Sequence, residues 1–243
     1  MNLFGLSDVG MVRENNEDTC LYILREEENQ AIFVVCDGMG GARAGNVASD
    51  IAASVFVEQL ERQVRAGMSR RYMESILSSA VEFANYDTYR AAHANSAYQG
   101  MGTTLVGGFI SGNQVMLANV GDSRAYLYTP EGLQRITRDH SLVEELVQRG
   151  EITEEQAREH PRRNLITRAL GTSRKVGADL YPLSLEPGQK LLLCSDGLSS
   201  MVPDSRIHEI MQEEDSRVCC ERLIDAACDN GGHDNITVLI LTV

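Results

Sequence analysis

Four aspartates stand next to short apolar runs that are typical of β-strands. They are Asp37, Asp122, Asp196 and Asp234. If the ends of these strands converge, two carboxylates about 4 Å apart repel by roughly 4 kcal/mol at an effective dielectric of about 20. Such a cluster needs a cation, and a ligand set made only of oxygen favours Mg²⁺ or Mn²⁺. The pattern therefore predicts a hydrolase with two divalent ions.

A fifth acidic cluster lies near the N-terminus, where Arg13 precedes Glu17 and Asp18. Each acidic turn also has a simpler interpretation, because Asp-Gly is a common turn in which glycine accepts a positive φ. The pairs at Asp37 and Asp196 differ from ordinary turns in one respect. Both follow an apolar run that ends in cysteine, at a point where glycine would let a backbone carbonyl reach a cation.

Composition limits the classes of protein to which the chain can belong. Its 243 residues suit one domain with a substantial core. The net charge of −13 argues against binding to nucleic acid, which requires a basic surface. The six cysteines form no CxxC pair and predict free thiols in a reducing compartment. Since neither a signal peptide nor an apolar run of membrane-spanning length is visible, we expect a cytoplasmic protein without a membrane segment.

Alternating and apolar runs predict ten strands and three main helices. The strands are 3–9, 18–24, 31–36, 103–111, 114–120, 123–128, 132–136, 180–183, 190–194 and 235–243, and the helices are 44–65, 72–92 and 216–229. The turns near Gly112 and Pro130 leave room only for hairpins, which indicates antiparallel pairing. Strands 31–36 and 190–194 have almost no polar interruption and are expected to be covered on both faces. The predicted fold is α+β, with two packed antiparallel β-sheets flanked by helices (an α-β-β-α sandwich).

Helical periodicity places apolar residues along roughly one face of each of the two long helices. These faces carry Val47, Ile51, Val55 and Leu60 in the first helix, and Ile76, Ala80, Phe83 and Tyr86 in the second. Residues 138–175, called the flap below, are charge-dense and helical in parts. We expect the flap to be an insertion over the sheet edges within a single catalytic domain of residues 1–243.

Six short motifs resemble those of a known family in content and in order. They are Arg13-Glu14-Asn15-Asn16-Glu17-Asp18, Val35-Cys36-Asp37-Gly38-Met39-Gly40-Gly41, Gly100-Met101-Gly102-Thr103-Thr104-Leu105, Asn119-Val120-Gly121-Asp122-Ser123-Arg124, Cys194-Ser195-Asp196-Gly197-Leu198 and His233-Asp234-Asn235-Ile236-Thr237. On these residues the chain is identified as a member of the bacterial metal-dependent serine/threonine phosphatases of the protein phosphatase 2C type. The motifs extend from residue 13 to residue 237, so the resemblance covers nearly the whole chain.

The resemblance implies a role for each acidic motif. Asp37 bridges two Mn²⁺ or Mg²⁺ ions, and the Gly38 carbonyl binds one of them. The remaining implied ligands are Asp196 and Asp234, with Glu17 and Asp18 binding directly or through water, and Asp122 acts with Asp196 on a weaker third ion. Arg13 is expected to hold the substrate phosphate, a task that suits a planar group of donors that stays charged.

The implied reaction is hydrolysis of phosphoserine and phosphothreonine in proteins. A hydroxide that bridges the two metal ions attacks phosphorus in line, and no phosphoenzyme is needed. In agreement, no cysteine has an arginine six positions further on, so the pattern of a cysteine-nucleophile phosphatase is absent. Many eukaryotic relatives have a histidine where this chain has Met39, which cannot donate a proton. Metal-bound water is therefore the first candidate for the general acid and His140 a weaker one, while His233 is expected to shape its loop.

The expected partners are phosphoprotein substrates and a cognate serine/threonine kinase whose action the enzyme opposes, and the expected state is a monomer. The flap arginines either meet an acidic or phosphorylated substrate surface or form a solvated basic face. A non-catalytic phosphoprotein-binding member of the family is the main alternative, although every implied metal ligand is intact. A nucleotide-binding loop after Asp37 is disfavoured, because Arg43 occupies the position of the required third glycine.

Overall fold

The structure, a computed structural model, describes residues 1–40 and 44–243. Gly41 and Arg43, which enter the sequence analysis, lie outside the described residues. The strands are β1 Asn2–Asp8, β2 Asp18–Arg25, β3 Gln30–Met39, β4 Gly102–Thr103, β5 Leu105–Ser111, β6 Gln114–Val120, β7 Arg124–Thr129, β8 Gly132–Arg135, β9 Asp179–Ser184, β10 Lys190–Cys194 and β11 Ile236–Thr242. The helices are α1 Gly45–Gln63, α2 Arg70–Ala94, α3 Leu142–Gln148, α4 Glu154–Glu159, α5 Asp196–Ser199, α6 Asp204–Ile210 and α7 Ser216–Asp229.

The strands form two antiparallel sheets. One has the order β1-β11-β10-β7-β8, and the other has the order β2-β3-β5-β6-β9 with the short β4 paired to the end of β3. The short connections that predicted antiparallel hairpins are present at β5–β6 and β7–β8. Helices α1 and α2 pack on the second sheet, and α5, α6 and α7 pack on the first. The predicted sandwich of two sheets between helices is therefore confirmed.

Strand β3 shows how the sequence produces these layers. Phe33 and Val35 point into the interior between the sheets, where they meet Leu193 of β10. Ile32 and Val34 alternate with them and pack against the helical layer. Because successive side chains of a strand point to opposite faces, an unbroken apolar run is the signature of a strand covered on both sides, as predicted here.

Two details of the predicted elements are wrong. The strand expected at 103–111 is divided, because Thr104 stands between β4 and β5 and bonds to β3 through its backbone and its hydroxyl. In α2, Phe83 and Tyr86 are exposed, whereas the buried face carries Ile76, Leu77, Ala80, Val81 and Ala84 among others. The face that packs against the sheet is thus rotated away from the two aromatic residues.

The flap contains α3 and α4 and is fastened to the body at both ends. At its N-terminal end, His140 N donates to the Gly121 carbonyl at 2.8 Å, and towards its C-terminal end Leu170 forms a β-bridge with Thr103 of β4. A further bridge, between Ser141 and Ile166, lies within the flap. Near its C-terminal end, the buried Asn85 of α2 accepts a hydrogen bond from Gly171 N and donates to the carbonyl of Ser173. The flap therefore lies beside the end of β3 that carries Asp37.

All six cysteines are free thiols, as predicted. Over the two described ranges, no helix combines the length and the apolar character needed to cross a membrane.

Candidate metal centre

The acidic motifs converge at one edge of the sandwich because the ends of six strands meet there. Asp18 begins β2 and lies directly opposite Asp37 near the end of β3, and directly opposed residues in an antiparallel pair have Cα atoms about 4.5–5.5 Å apart. In the other sheet, Asp196 follows β10 and Asp234 precedes β11, its antiparallel neighbour. Asp122 lies in the short link that carries the chain from β6 of one sheet to β7 of the other.

Asp37 is the centre of this acidic cluster. Burial raises the pKa of its carboxyl well above the usual value, and the charges of Asp18, Asp196, Asp122 and Asp234 raise it further, in that order. The charges of these four aspartates all act on Asp37, so the five predicted aspartates form one acidic cluster.

The pKa values of three neighbouring carboxyls are also raised, and for the same physical reason. Burial raises the pKa of Asp18 to about 7, and the charges of Asp196 and Asp234 add to the shift. Burial likewise raises the pKa of Asp122 to about 7 and that of Asp196 to about 6, each with a contribution from a nearby aspartate. The cluster therefore resists carrying its full negative charge unless a cation is present.

An orphaned atom tests whether these residues fit a divalent cation. Oδ2 of Asp18 is buried and has no hydrogen-bond partner. A carboxylate oxygen without a donor costs free energy, and a hard cation is the partner that an all-oxygen set prefers. No group of three Asp, Glu, His or Cys side chains in the described part of the chain is arranged to hold a metal ion. The fit to a divalent cation therefore rests on the oxygen-only chemistry of the clustered side chains and on the unpartnered Asp18 oxygen. In these two respects the residues present fit a divalent cation.

Thr104 holds the backbone of Asp37 in place. Its hydroxyl accepts a hydrogen bond from Asp37 N at 2.9 Å, and its own N–H donates to the Asp37 carbonyl at 2.9 Å. Thr103 Oγ1 donates to the same carbonyl, and Thr104 Oγ1 is hydrogen-bonded to the buried Ser123 at 2.7 Å. Both threonines belong to one of the six motifs, but their role could not be predicted, since an interruption inside a strand pattern leaves no periodic signal.

Arg13 lies at the mouth of the cluster, where its Nη2 is 2.7 Å from Asp234 Oδ2. The side chain of Arg13 is half exposed and that of Asp234 is 36% exposed, so the guanidinium is accessible to a ligand from solvent. The structure therefore places the predicted phosphate-binding residue next to a predicted metal ligand.

Asn235 is a second residue whose role sequence reasoning missed. Its buried side chain donates to the carbonyls of Val9 and Asn15 at 3.0 and 2.9 Å and accepts from Glu17 N at 2.8 Å. These three bonds tie the N-terminal segment that carries Arg13 to the start of β11. A polar residue just before an apolar strand is the one signal of this role in the sequence.

Glu17 and Gly38 occupy the margin of the cluster. The Glu17 carbonyl accepts from Gly38 N at 3.1 Å, and a Cβ added to Gly38 would collide with the carbonyls of Glu17 and Gly45. The Glu17 carboxylate lies against Gly45, at the N-terminus of α1, where the helix dipole favours a negative charge. Glu17 thus lies beside the five aspartates and faces the helix end.

The two histidines considered in the sequence analysis differ in exposure. His233 is exposed beside Asp234, whereas His140 is 5% exposed and has both ring nitrogens engaged with protein groups. Burial lowers the pKa of His140. A buried histidine with no free nitrogen is poorly suited to deliver a proton to a leaving group.

Comparison with known proteins gives consistent matches over most of the chain. The family model described as protein phosphatase 2C matches residues 12–224. The serine/threonine phosphatase Stp of Listeria monocytogenes is 40% identical over 238 residues, which cover 97% of this chain and 93% of that protein.

Solved structures show the same agreement. Serine/threonine phosphatase Stp1 from Staphylococcus aureus superposes with a TM-score of 0.91 at 36% identity, covering 99% of this chain and 94% of that one. The catalytic domain of the serine/threonine protein phosphatase PstP, solved in complex with two manganese ions, superposes with a TM-score of 0.86 at 35% identity. The match covers 98% of this chain and 96% of that one.

Proposed function

Because this chain belongs to the protein phosphatase 2C family and is a metal-dependent serine/threonine phosphatase, we propose that its acidic cluster holds two Mn²⁺ or Mg²⁺ ions and a weaker third. Asp37, the Gly38 carbonyl, Asp196 and Asp234 would hold the first two ions, with Glu17 and Asp18 contributing directly or through water. Asp122 and Asp196 would hold the third. The observation that carries this proposal is the convergence of four aspartates on Asp37, one of which, Asp18, has an unpartnered buried oxygen.

The ions, when bound, would lower the pKa of a coordinated water toward neutrality and neutralise charge on the phosphoryl group. The protein's own part is to position and orient. Thr104 and its hydrogen bonds fix the Asp37 backbone, so that its carboxylate stays at the meeting point of the two sheets. Preorganised groups of this kind need no rearrangement during the reaction.

Arg13 binds the phosphate of the substrate. A guanidinium presents a fixed fork of donors that matches two phosphate oxygens. In the structure this fork faces the Asp234 carboxylate, so a phosphoryl group bound there would share or replace that contact. The Asn235 side chain keeps the Arg13 segment close enough for this exchange.

The enzyme acts on phosphoproteins, and we propose that the substrate polypeptide runs along an open groove beside Glu17. The groove has a volume of about 530 Å³ and is lined by the polar Asn15, Asn46 and Tyr98 among others. Asparagine side chains both donate and accept, which suits the main chain of an extended peptide. A groove of about 600 Å³ between α6 and α7 is larger, but none of the residues that line it belongs to the acidic cluster around Asp37.

The cellular setting belongs to the same proposal. We place the enzyme in the cytoplasm, as a monomer whose residues 1–243 work as one catalytic domain opposing a serine/threonine kinase. Free cysteines support the location, since disulfides are rare in reducing compartments.

The test is phosphate release from a phosphothreonine peptide with Mn²⁺, with EDTA and with Asp196→Asn. We expect turnover in Mn²⁺ that both EDTA and the substitution abolish. Asp229→Asn, at the exposed end of α7, is the matched control and should behave as wild type. If Asp196→Asn turns over at a near wild-type rate, the ligand assignment is wrong. A folded wild-type protein that binds Mn²⁺ without turnover would instead indicate a phosphoprotein-binding module.

A further inference from the structure

His140 forms hydrogen bonds with the backbone of Gly121 on both sides of its Cα atom. Its backbone N–H donates to the Gly121 carbonyl at 2.8 Å, and its ring Nδ1 accepts from Gly121 N at 3.1 Å. Both contacts are buried, and the imidazole itself is 5% exposed. One residue thus binds the donor and the acceptor of a single glycine 19 positions away.

The other side of the ring connects to the flap. With Nδ1 turned to Gly121, the ring Nε2 lies 3.1 Å from Nη1 of Arg168 in the flap and 3.3 Å from Asp179 Oδ2. Arg168 of the flap donates to the other oxygen of Asp179 at 2.9 Å, and Thr167 N donates to the His140 carbonyl at 2.7 Å. His140 therefore lies between the flap and Gly121, with a bond to each.

Gly121 immediately precedes Asp122, and the segment between β6 and β7 has little room to shift. Gly121 has a φ of +108°, a conformation that favours glycine, and a Cβ added there would lie 2.6 Å from Thr104 Cγ2. The next residue but one, Ser123, is bonded to the same threonine. A displacement of the Gly121 peptide would accordingly move the Asp122 carboxylate.

We propose that His140 is a positioning residue that fixes the Gly121–Asp122 peptide through Nδ1 and links it through its Nε2 face to the flap. It sets the place of the Asp122 carboxylate and hence the affinity of the third ion. The part that concerns the ion rests on the proposed function; the part that concerns the peptide does not.

Two conservative substitutions separate the two faces of the ring. Asparagine places a polar atom near the position of Nδ1 but does not reach Asp179. Glutamine reaches toward the position of Nε2 but leaves Gly121 N without its acceptor. We therefore expect His140→Asn to keep the hydrogen bond from Gly121 N and His140→Gln to lose it, although both substitutions remove the imidazole. Thermal unfolding of each variant shows whether it is folded.

The first readout needs neither metal nor activity. Hydrogen exchange of the Gly121 amide, measured in EDTA on a fragment covering residues 119–124, should be about tenfold faster in His140→Gln than in wild type, which corresponds to one hydrogen bond of about 1.4 kcal/mol. In His140→Asn it should stay near the wild-type rate. Equal exchange in wild type and His140→Gln, or faster exchange in His140→Asn than in His140→Gln, would overturn the positioning role.

The second readout is calorimetric titration with Mn²⁺. The weakest binding step of His140→Gln should have a Kd raised on the order of tenfold, because groups that orient a metal ligand typically contribute that much, and His140→Asn should bind as wild type. Asp122→Ala is the reference that lacks the third site, and adding His140→Gln to it should change nothing further. A wild-type Kd in His140→Gln would overturn the link to the ion. If wild type and Asp122→Ala bind the same number of ions, the proposed third ion is wrong, while the exchange result still decides the role of His140.

Discussion

Replacing Asp18 by asparagine should make the metal-free protein more stable. Asp18 has an ordinary pKa of 3.8, and burial raises it to about 7 in the fold. The folded state thus holds a proton between these values that the unfolded state has released, so the free energy of unfolding falls as pH rises from about 4 to about 7. Three pKa units correspond to about 4 kcal/mol. Asparagine has nearly the same shape as aspartate and carries no charge. Above pH 7 in EDTA, the substitution should therefore raise the free energy of unfolding by as much as about 4 kcal/mol.

The assay is thermal unfolding in EDTA at several pH values between 4 and 8. For a chain of this length, 1 kcal/mol shifts Tm by roughly 2–4 °C, so Asp18→Asn should melt several degrees above wild type at pH 8 and no higher near pH 4. Saturating Mn²⁺ should raise the Tm of wild type more than that of the variant, because a bound cation stabilises the ionised carboxylates. Asp229→Asn serves as the control for removing an acidic charge. A variant less stable than wild type at pH 8 in EDTA, or a difference that does not change with pH, would refute the reasoning.

Three further predictions address the residues around the cluster. Arg13→Lys should lower kcat/KM for a phosphothreonine peptide by roughly tenfold, since lysine lacks the guanidinium fork, with Tm nearly unchanged because the pair with Asp234 is exposed; full activity would contradict the phosphate-binding role. Asn235→Ala removes three side-chain hydrogen bonds and should cost about 2–4 kcal/mol in urea unfolding; an unchanged midpoint would show that the N-terminal segment is held by other contacts. Replacing the exposed Arg162 and Arg163 of the flap by serine should raise KM for a phosphoprotein several-fold and leave that for a small aryl phosphate unchanged; equal effects on both substrates would exclude a docking role.

The layers of the fold could be predicted well from the sequence, because uninterrupted apolar runs identify buried strands such as β3 and β10. Prediction failed for α5 and α6, since helices of four and seven residues are too short to show a period of 3.6. Asp196 was expected in a turn and in fact begins α5, with Gly197 so close to the Asn235 carbonyl that no side chain would fit. That proximity depends on β10 and β11 being neighbours, which is a property of sheet order and cannot be read locally.

The site shows the same difference between features that are local in the sequence and features that depend on contacts between distant residues. The aspartates could be identified because their residue type carries the chemistry, and their position next to strands indicated where they would meet. The residues that orient them are uncharged or buried, and their partners lie far away in sequence: Thr104 lies 67 positions from Asp37, and Asn235 lies 218 from Glu17. A cluster of mutually repelling carboxylates destabilises the metal-free fold, so the hydrogen bonds of Thr104 and Asn235 must hold the surrounding backbone against that repulsion. The stability of the fold and the geometry of the metal centre therefore depend on the same few buried polar residues, and substitutions there should impair both together, whereas substitution of a carboxylate should improve the first and abolish the second.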